Sequence, residues 1–333
     1  MHKFLSNIIL LYFLFSFVVI TKQLGAARVE HLEEMVNGDE HDYYEQLQNT
    51  TTKEWQKNGK VFCKLNDQDG EYLQVGNNCS NDTETFGPEL GFGFLVDDND
   101  TPILLLKEAW GGVDLAVDFR PPSSGEGMYT NTQEQIQSRY YQTMISNILQ
   151  TINSLNDNTA NNCGFLQSAL NMQSDSVFGN EYWRQSDRIV YDSVQLSGFV
   201  WFQGWNDFVD KEKSLEYEFN LGNLIRDVRS HLNVPNLPFV IGEFGAQGSL
   251  SDERMNPYLT NRTRSLRQSQ YNVTTYPEFY NNTMFVETKQ RWKGDEEKLY
   301  DQEYHYYGRA DTIYHIGEDF GKAMIQLEQN INR

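Results

Sequence analysis

Short apolar runs that end abruptly at a polar residue or a glycine recur along the last two-thirds of the chain. The runs are "PILLL" (102–106), "GFVWF" (198–202), "LPFVI" (237–241) and "MFVET" (284–288). Apolar runs of this length, without alternation, are typical of parallel strands that are covered on both faces. The pattern therefore predicts four buried parallel strands.

Apolar residues spaced three and four apart predict amphipathic helices around these runs. One such pattern extends from Ile136 to Leu155, a second from Leu215 to Val228 and a third from Ile313 to Leu327. A shorter amphipathic pattern lies in "VEHLEEMV" (29–36). Strands and helices therefore alternate, which predicts an α/β fold with a parallel sheet.

In an open parallel sheet, ligands bind beyond the carboxyl ends of the strands. We therefore expect residues 107–112, 203–207 and 242–245, which follow three of the runs, to lie at one edge. Any one of these segments is simply explained as a tight turn, where Gly and Asn are common. Several turns that combine glycine with Gln, Glu, Asn or Trp favour a binding site.

The first residues have the character of a secretory signal peptide. A basic start precedes an apolar run from Ile8 to Ile20, and small residues follow at Gly25 and Ala27. The run is too short to span a bilayer comfortably. We therefore predict that residues 1–27 are a signal peptide, and that residues 28–333 form a single α/β domain without a membrane span.

Seven Asn-x-Ser/Thr sequons also favour secretion, because glycosylated asparagines belong to secreted proteins and face water. They begin at Asn49, Asn78, Asn81, Asn99, Asn261, Asn272 and Asn281. Cys63 and Cys79 could pair in an oxidising compartment, which would leave Cys163 unpaired. These features predict a secreted or lumenal glycoprotein.

The acidic composition limits the classes of partner. The formal net charge is −20, and such a surface repels nucleic acids and anionic membranes. The chain shows no spacing typical of a metal site, since His305 and His315 are ten residues apart and "DDND" (97–100) suits a turn better than a calcium loop. We therefore expect no nucleic acid, no metal and no cofactor.

A retaining glycoside hydrolase is one enzymatic interpretation. "VIGEFG" (240–245) resembles the strand end that carries the nucleophilic Glu in cellulase-type barrels, where Glu243 would attack the sugar. The Asn180–Glu181 pair, a candidate for the acid, does not follow an apolar run. A barrel also needs eight strands. This reaction is therefore the minor alternative, and Glu243 is more simply explained as a ligand of its own loop's backbone amides.

Five sequence blocks, in order, resemble the carbohydrate-esterase family that contains the sialate O-acetylesterases. They are "FGPELGFG" (86–93), "LLLKEAWGG" (104–112), "GFVWFQGWND" (198–207), "LPFVIGEFG" (237–245) and "YHYYGRADTIYHIG" (304–317). The resemblance extends from about residue 30 to about residue 327. It implies a three-layer αβα sandwich of the SGNH-hydrolase or flavodoxin-like type, with O-acetylated carbohydrates or glycoconjugates as substrates.

The resemblance also implies a Ser–His mechanism, in which Ser attacks the acetyl carbonyl and His takes its proton. His305 matches the family's catalytic His. The family usually has Asp three residues earlier, where this chain has Gln302, so Asp301 is the candidate to orient the imidazole. Gln203 matches the Gln-Gly block, and its amide and the Gly112 N–H would stabilise the oxyanion.

Other residues near these blocks are candidates to contact the sugar. Gly111 would allow close approach, the indole rings would offer a stacking face, and Asp207 would replace a Glu that the family often has after the Gln-Gly pair. The predicted substrate contacts are Trp110, Gly111, Trp205, Asn206, Asp207 and Glu243.

The family's nucleophile is missing from its expected place. Relatives carry it in a Gly-Gln-Ser-Asn block after the first strand, but this chain has "FVVITKQLGAAR" (17–28) there, and Gly-Gln-Ser occurs nowhere in it. "FVVI" (17–20) is itself a candidate first strand, with residues 22–25 in the place of the block. Ser123 and Ser124 do not follow a predicted strand. We predict a secreted carbohydrate esterase, or alternatively a non-catalytic glycan-binding relative; a gene model that lacks an exon would also explain the gap.

Overall fold

The computed structural model is built around one seven-stranded sheet. It describes residues 13–20, 27–38, 44–49, 51–68, 70–76, 79, 83–98, 103–127, 138–156, 194–245, 248, 257–293, 299 and 303–331. The strands are β1 (Phe13–Ile20), β2 (Ala27–Arg28), β3 (Val61–Leu65), β4 (Glu71–Tyr72), β5 (Thr85–Phe86), β6 (Ile103–Lys107), β7 (Val194–Phe202), β8 (Phe239–Gly242) and β9 (Thr283–Val286). The α-helices are α1 (Val29–Asn37), α2 (Glu89–Val96), α3 (Arg139–Asn156), α4 (Trp205–Val209), α5 (Lys211–His231), α6 (Pro257–Thr274) and α7 (Ala310–Ile331).

The sheet has the order β4-β3-β6-β1-β7-β8-β9. All neighbours pair in parallel except β4, which runs antiparallel to β3 at one edge. The strands predicted from the four apolar runs are β6, β7, β8 and β9, and all four are confirmed as parallel. β2 and β5 form a separate two-stranded sheet.

Successive side chains of the strands alternate between two apolar cores. On β7, Val200 and Phe202 belong to the core covered by α1, α2 and α7, whereas Phe199 and Trp201 belong to the core covered by α3, α5 and α6. The strands read as unbroken apolar runs because both of their faces are buried. The α/β class with a parallel sheet between two helical layers is thus confirmed.

The position of β1 differs from the flavodoxin-like order. Counted along the chain, the parallel strands lie in the order 2-3-1-4-5-6, whereas the flavodoxin-like order is 2-1-3-4-5. The first strand therefore lies between the third and the fourth, β6 and β7. Sequence periodicity identifies strands but carries little information on which neighbours they choose.

Helices that carry a strong apolar pattern match their predictions. The three long patterns correspond to α3, α5 and α7, and the short pattern corresponds to α1. Among the described helices, the sequence patterns did not predict α2, α4 and α6; in α6, polar residues interrupt the apolar spacing. Helices α2 and α7 approach closely, since a Cβ atom at Gly91 would overlap the Tyr314 carbonyl oxygen and one at Gly317 would overlap the Pro88 carbonyl oxygen.

A disulfide joins Cys63 on β3 to Cys79, with the two Cα atoms 5.6 Å apart. Both cysteines are buried. The bond therefore ties the loop before β5 to the body of the sheet, and the pairing that the sequence left open is present.

The assignment of β1 bears directly on the predicted signal peptide. β1 pairs along its length with β6 on one side and β7 on the other. Removal of residues 1–27 would take away the strand between them. Because neighbouring strands are about 4.8 Å apart, β6 and β7 would face each other across a gap of about 10 Å. Signal cleavage stays a prediction.

We expect a chain that starts at Arg28 to lose most of its stability relative to the full chain. A typical domain has an unfolding free energy of about 5–15 kcal/mol, and loss of a central strand removes hydrogen bonds and buried surface on both sides. Urea unfolding followed by circular dichroism measures the difference, and a chain that starts at Phe13 is the matched control. Equal stability of the chains that start at residues 13 and 28 would contradict the placement of β1.

Candidate functional site

The carboxyl ends of the central strands meet at one edge of the sheet, as the sequence predicts. Ile20 at the end of β1 pairs in register with Phe202, immediately before Gln203. The Gln270 amide nitrogen on α6 donates to the carbonyl oxygens of Gln203 and Gly242, at 3.1 and 3.3 Å. The segments after β7 and β8 are therefore held side by side.

Gln203 is buried, and its side-chain amide is engaged on both sides. Its Nε2 donates to Asp207 Oδ2 at 2.6 Å and more weakly to the Val113 carbonyl oxygen at 3.4 Å. Its Oε1 accepts a hydrogen bond from the Tyr217 hydroxyl at 3.2 Å. An oxyanion role for Gln203 therefore requires that Nε2 gives up a protein partner.

Asp207 lies on α4 and is completely buried. Its carboxylate accepts the backbone N–H groups of Leu115, at 2.9 Å, and Ala116, at 3.0 Å, together with the Gln203 amide. The predicted sugar contact by Asp207 is therefore corrected, because its oxygens are turned inward onto the loop after β6. Asp207 fixes that loop relative to β7.

Charged neighbours and burial set the protonation of Asp207. Removal from water and the Asp114 carboxylate together raise its pKa to about 7, against the opposing hydrogen bonds from Leu115 and Gln203. Asp114 is itself paired with Lys213 Nζ at 2.6 Å. This buried acid titrates near neutrality as a result.

The loop after β6 presents the two predicted glycines to solvent. Gly111 and Gly112 are exposed, and Gly112 has a φ of +75°, a backbone conformation that favours glycine. A Cβ atom at Gly112 would meet nothing within 4 Å. The backbone at this position is therefore open to a ligand. The neighbouring Val113 carbonyl accepts the Asn206 amide at 2.9 Å, which places these glycines beside the start of α4.

The two predicted stacking residues are half-buried. The Trp110 ring packs against Tyr140 at 5.0 Å and Phe119 at 5.8 Å between centroids. The Trp205 ring contacts Phe208 at 5.7 Å. The Asn206 side-chain amide donates to the Val113 carbonyl and so helps to hold the loop after β6.

Glu243 is a buried structural carboxylate. Its Oε2 accepts the backbone N–H groups of Thr288 and Lys289, at 3.0 and 2.9 Å, and its Oε1 lies 3.2 Å from Lys289 Nζ and 3.7 Å from Arg267 Nε. The predicted roles of Glu243 as a sugar contact or a glycosidase nucleophile are corrected, because the side chain is enclosed by protein donors. The open sheet also excludes the eight-stranded barrel of that alternative.

The contacts of Tyr306 place the segment that contains the predicted catalytic His at the same edge of the sheet. His305 belongs to the short 3₁₀ helix Glu303–Gly308, while its side chain and all of Asp301 lie outside the described residues. The adjacent Tyr306 hydroxyl accepts the Gly245 N–H at 3.1 Å and lies 3.0 Å from Thr288 Oγ1. The backbone next to His305 is thus anchored at the carboxyl end of β8, and the predicted catalytic roles of His305 and Asp301 stay predictions.

A buried ion pair at the end of β6 was not identified from the sequence. Lys107 Nζ lies 2.9 Å from Glu89 Oε1 at the start of α2 and donates to the Cys79 carbonyl at 2.9 Å. Lys107 and Glu89 are both almost fully buried. The stop of an apolar run at Lys107 is the one sequence signal that points to this pair.

Metal and membrane features are not found in the described part of the chain. Its His, Cys, Asp and Glu side chains form no group of three suited to hold an ion. None of the helices in these ranges combines the length and apolar character that a bilayer crossing requires.

We expect Glu243→Gln to lower the free energy of unfolding by about 3–5 kcal/mol, because it leaves Arg267 and Lys289 without their buried partner. The matched control is Glu287→Gln, which removes a half-exposed partner of the same Lys289 and should cost less than about 1 kcal/mol. Urea unfolding measures both variants. Equal effects of the two substitutions would contradict the structural role of Glu243.

Comparisons with known proteins agree with this fold and sequence pattern. Residues 168–326 match the family model described as "Carbohydrate esterase, sialic acid-specific acetylesterase". No curated protein sequence matches the chain.

Among solved structures, a protein from Arabidopsis thaliana is similar over 93% of this chain and 97% of its own length, with a TM-score of 0.52 and 14% sequence identity. A carbohydrate acetylesterase from Xanthomonas citri is similar over 94% of this chain, with a TM-score of 0.52 and 12% identity, and the match spans 55% of that protein. At such identities the likeness shows a shared fold. Over residues 168–326 the chain is similar in sequence to the carbohydrate esterases of the sialic acid-specific acetylesterase family, and its fold is similar to that of a carbohydrate acetylesterase.

Proposed function

We propose that this protein acts on acetyl esters of carbohydrate hydroxyls, as a carbohydrate esterase of the sialate O-acetylesterase type. The observation that carries the proposal is the convergence of two family blocks at one edge. Gly111 and Gly112 lie exposed beside Gln203 and Asn206, since both of these side chains reach the Val113 carbonyl. The family match over residues 168–326 supports the same reaction class.

The proposed mechanism is the family's acyl transfer through Ser and His. A Ser after β1, which the family has and this chain lacks, would attack the acetyl carbonyl; His305 would take its proton and pass it to the departing sugar oxygen, and water activated by His305 would then release acetate from the Ser. Asp301 would orient the imidazole. The Gly112 N–H, and Gln203 once its amide is free, stabilise the negative charge on the carbonyl oxygen. One such donor typically lowers the activation free energy by about 3–4 kcal/mol.

A second candidate function is glycan binding without turnover. One observation favours it: the 333 residues contain no Gly-Gln-Ser block, and "KQLG" (22–25) stands where the family's nucleophile belongs after β1. Those four residues lie outside the described part of the chain. In this account the cleft keeps its affinity for O-acetylated carbohydrate and hydrolyses it slowly.

Passage through the secretory pathway is part of the proposal. The Cys63–Cys79 disulfide supports an oxidising compartment. The sequon residues Asn49, Asn261 and Asn281 are exposed, as attachment of a glycan requires. We expect the secreted protein to lose mass on treatment with an N-glycosidase, measured by mass spectrometry. A full-length protein without glycans would argue against this location.

We expect the unmodified chain to remain unlabelled by a fluorophosphonate probe, because such a probe reacts with an activated Ser. Its hydrolysis of an O-acetylated sialic acid should exceed the uncatalysed rate by at most roughly 10³ to 10⁴-fold, because a Ser–His site acts as a unit and the oxyanion donors alone supply the remainder. Replacement of residues 22–25 by Gly-Gln-Ser-Asn should introduce labelling and hydrolysis together.

His305→Ala in that restored chain is the decisive control, since it should remove both labelling and hydrolysis. Brisk hydrolysis and labelling of the unmodified chain would show that another Ser is the nucleophile. Absence of both binding and turnover with the restored block would reject the proposed function.

A further inference from the structure

The Gln203 side chain is held by a hydroxyl on one side and a carboxylate on the other. The Tyr217 hydroxyl shares its one proton between the Gln203 backbone oxygen, at 2.8 Å, and the Gln203 Oε1, at 3.2 Å. Tyr217 is fixed in turn, because its hydroxyl also accepts the Trp201 indole N–H at 3.2 Å. With the amide oxygen facing Tyr217, the amide nitrogen must face Asp207.

The Asp207 carboxylate is saturated with donors in its ionised form. Oδ1 accepts from Leu115 N at 3.2 Å and Ala116 N at 3.0 Å, while Oδ2 accepts from Leu115 N at 2.9 Å and Gln203 Nε2 at 2.6 Å. An ionised carboxylate only accepts hydrogen bonds, whereas a protonated one must itself donate through one oxygen. When Asp207 is protonated, it must therefore lose one of these hydrogen bonds.

The contact that gives way is the one to Gln203. The Leu115 and Ala116 donors belong to a backbone turn that is further fixed by Asp114, whose Oδ1 accepts the Val117 N–H at 2.6 Å. The Gln203 amide is the end of a flexible side chain. The most movable of the donors is thus also the family's candidate oxyanion donor.

The charged groups around Asp207 come from three elements. Asp114 lies in the loop after β6, Lys213 and Tyr217 lie on α5, and Arg262 on α6 packs over the Phe208 ring next to Asp207. Burial and the Asp114 charge raise the pKa of Asp207 to about 7. The proton is therefore exchanged within the physiological range.

We infer that Asp207 is a positioning residue that withholds the Gln203 amide from the cleft when ionised and releases it when protonated. The inference deepens the proposed function and rests on it, because the released amide is the donor for the acyl oxyanion. It makes the binding of that oxyanion depend on the protonation of a residue that does not touch the substrate.

The test observes the Gln203 amide itself and needs no substrate. In the full chain labelled with [¹⁵N]glutamine, the Gln203 side-chain N–H signals are followed by NMR from pH 5.5 to pH 8.5. One amide proton should be shifted downfield at high pH by its short bond to the carboxylate, and should move upfield with a midpoint near 7 as the pH falls. Gln203→Asn identifies the signals by their loss.

Three variants separate this coupling from a general effect of pH. Asp227→Asn changes another buried carboxylate, which accepts Ser123 N at 2.8 Å, and should leave the Gln203 transition in place. Asp207→Asn should abolish it, and Asp207→Glu should retain a transition with a changed midpoint. If the variants at position 207 fail to fold, the titration of the unmodified chain still decides.

Gln203 signals that stay constant between pH 5.5 and 8.5, or a transition that persists in Asp207→Asn, would overturn the inference. These outcomes are independent of the reaction. A clear transition in a protein that neither binds nor hydrolyses O-acetylated sugar would reject the proposed function and leave the coupling established.

Discussion

The buried Asp207 carboxylate is the interaction on which the arrangement of the site depends. It joins a turn after β6, through the Leu115 and Ala116 N–H groups, to the end of β7, through Gln203. A single carboxylate can do this because it offers about four acceptor positions and the backbone turn presents its donors on one side. Without it, two buried N–H groups would lack partners, at a cost of about 1–3 kcal/mol each.

The same solution recurs along this edge of the sheet. Glu243 holds the loop after β9 through two backbone N–H groups and Lys289, and Glu89 holds Lys107 at the end of β6. Parallel strands end in loops whose backbone groups have no partner in the sheet, and buried carboxylates supply acceptors for them. Acidic residues in the family blocks thus hold the loops at this edge, and Asp207 holds the loop that contains Gly111 and Gly112.

The first strand connects the architecture of the sheet with the chemistry of the site. β1 ends at Ile20, beside Phe202, so the chain leaves the sheet next to Gln203. The family mechanism requires a nucleophile after β1, and in this chain "KQLG" (22–25) stands in its place. The fold fixes the edge at which the site forms, whereas turnover depends on which residues reach that edge.

The sequence alone determined the class of fold and the edge at which the site forms. Short unbroken apolar runs are typical of parallel strands buried on both faces, and polar residues directly after such strands lie at their carboxyl ends. Periodicity says little about the neighbours of a strand, so the place of β1 between β6 and β7 was decided by tertiary packing. Tertiary structure also decided that Asp207 and Glu243 face protein donors and that Gly112 faces solvent. A residue type shows that a carboxylate can accept hydrogen bonds, but which donors it meets depends on segments about 45 to 90 residues away along the chain.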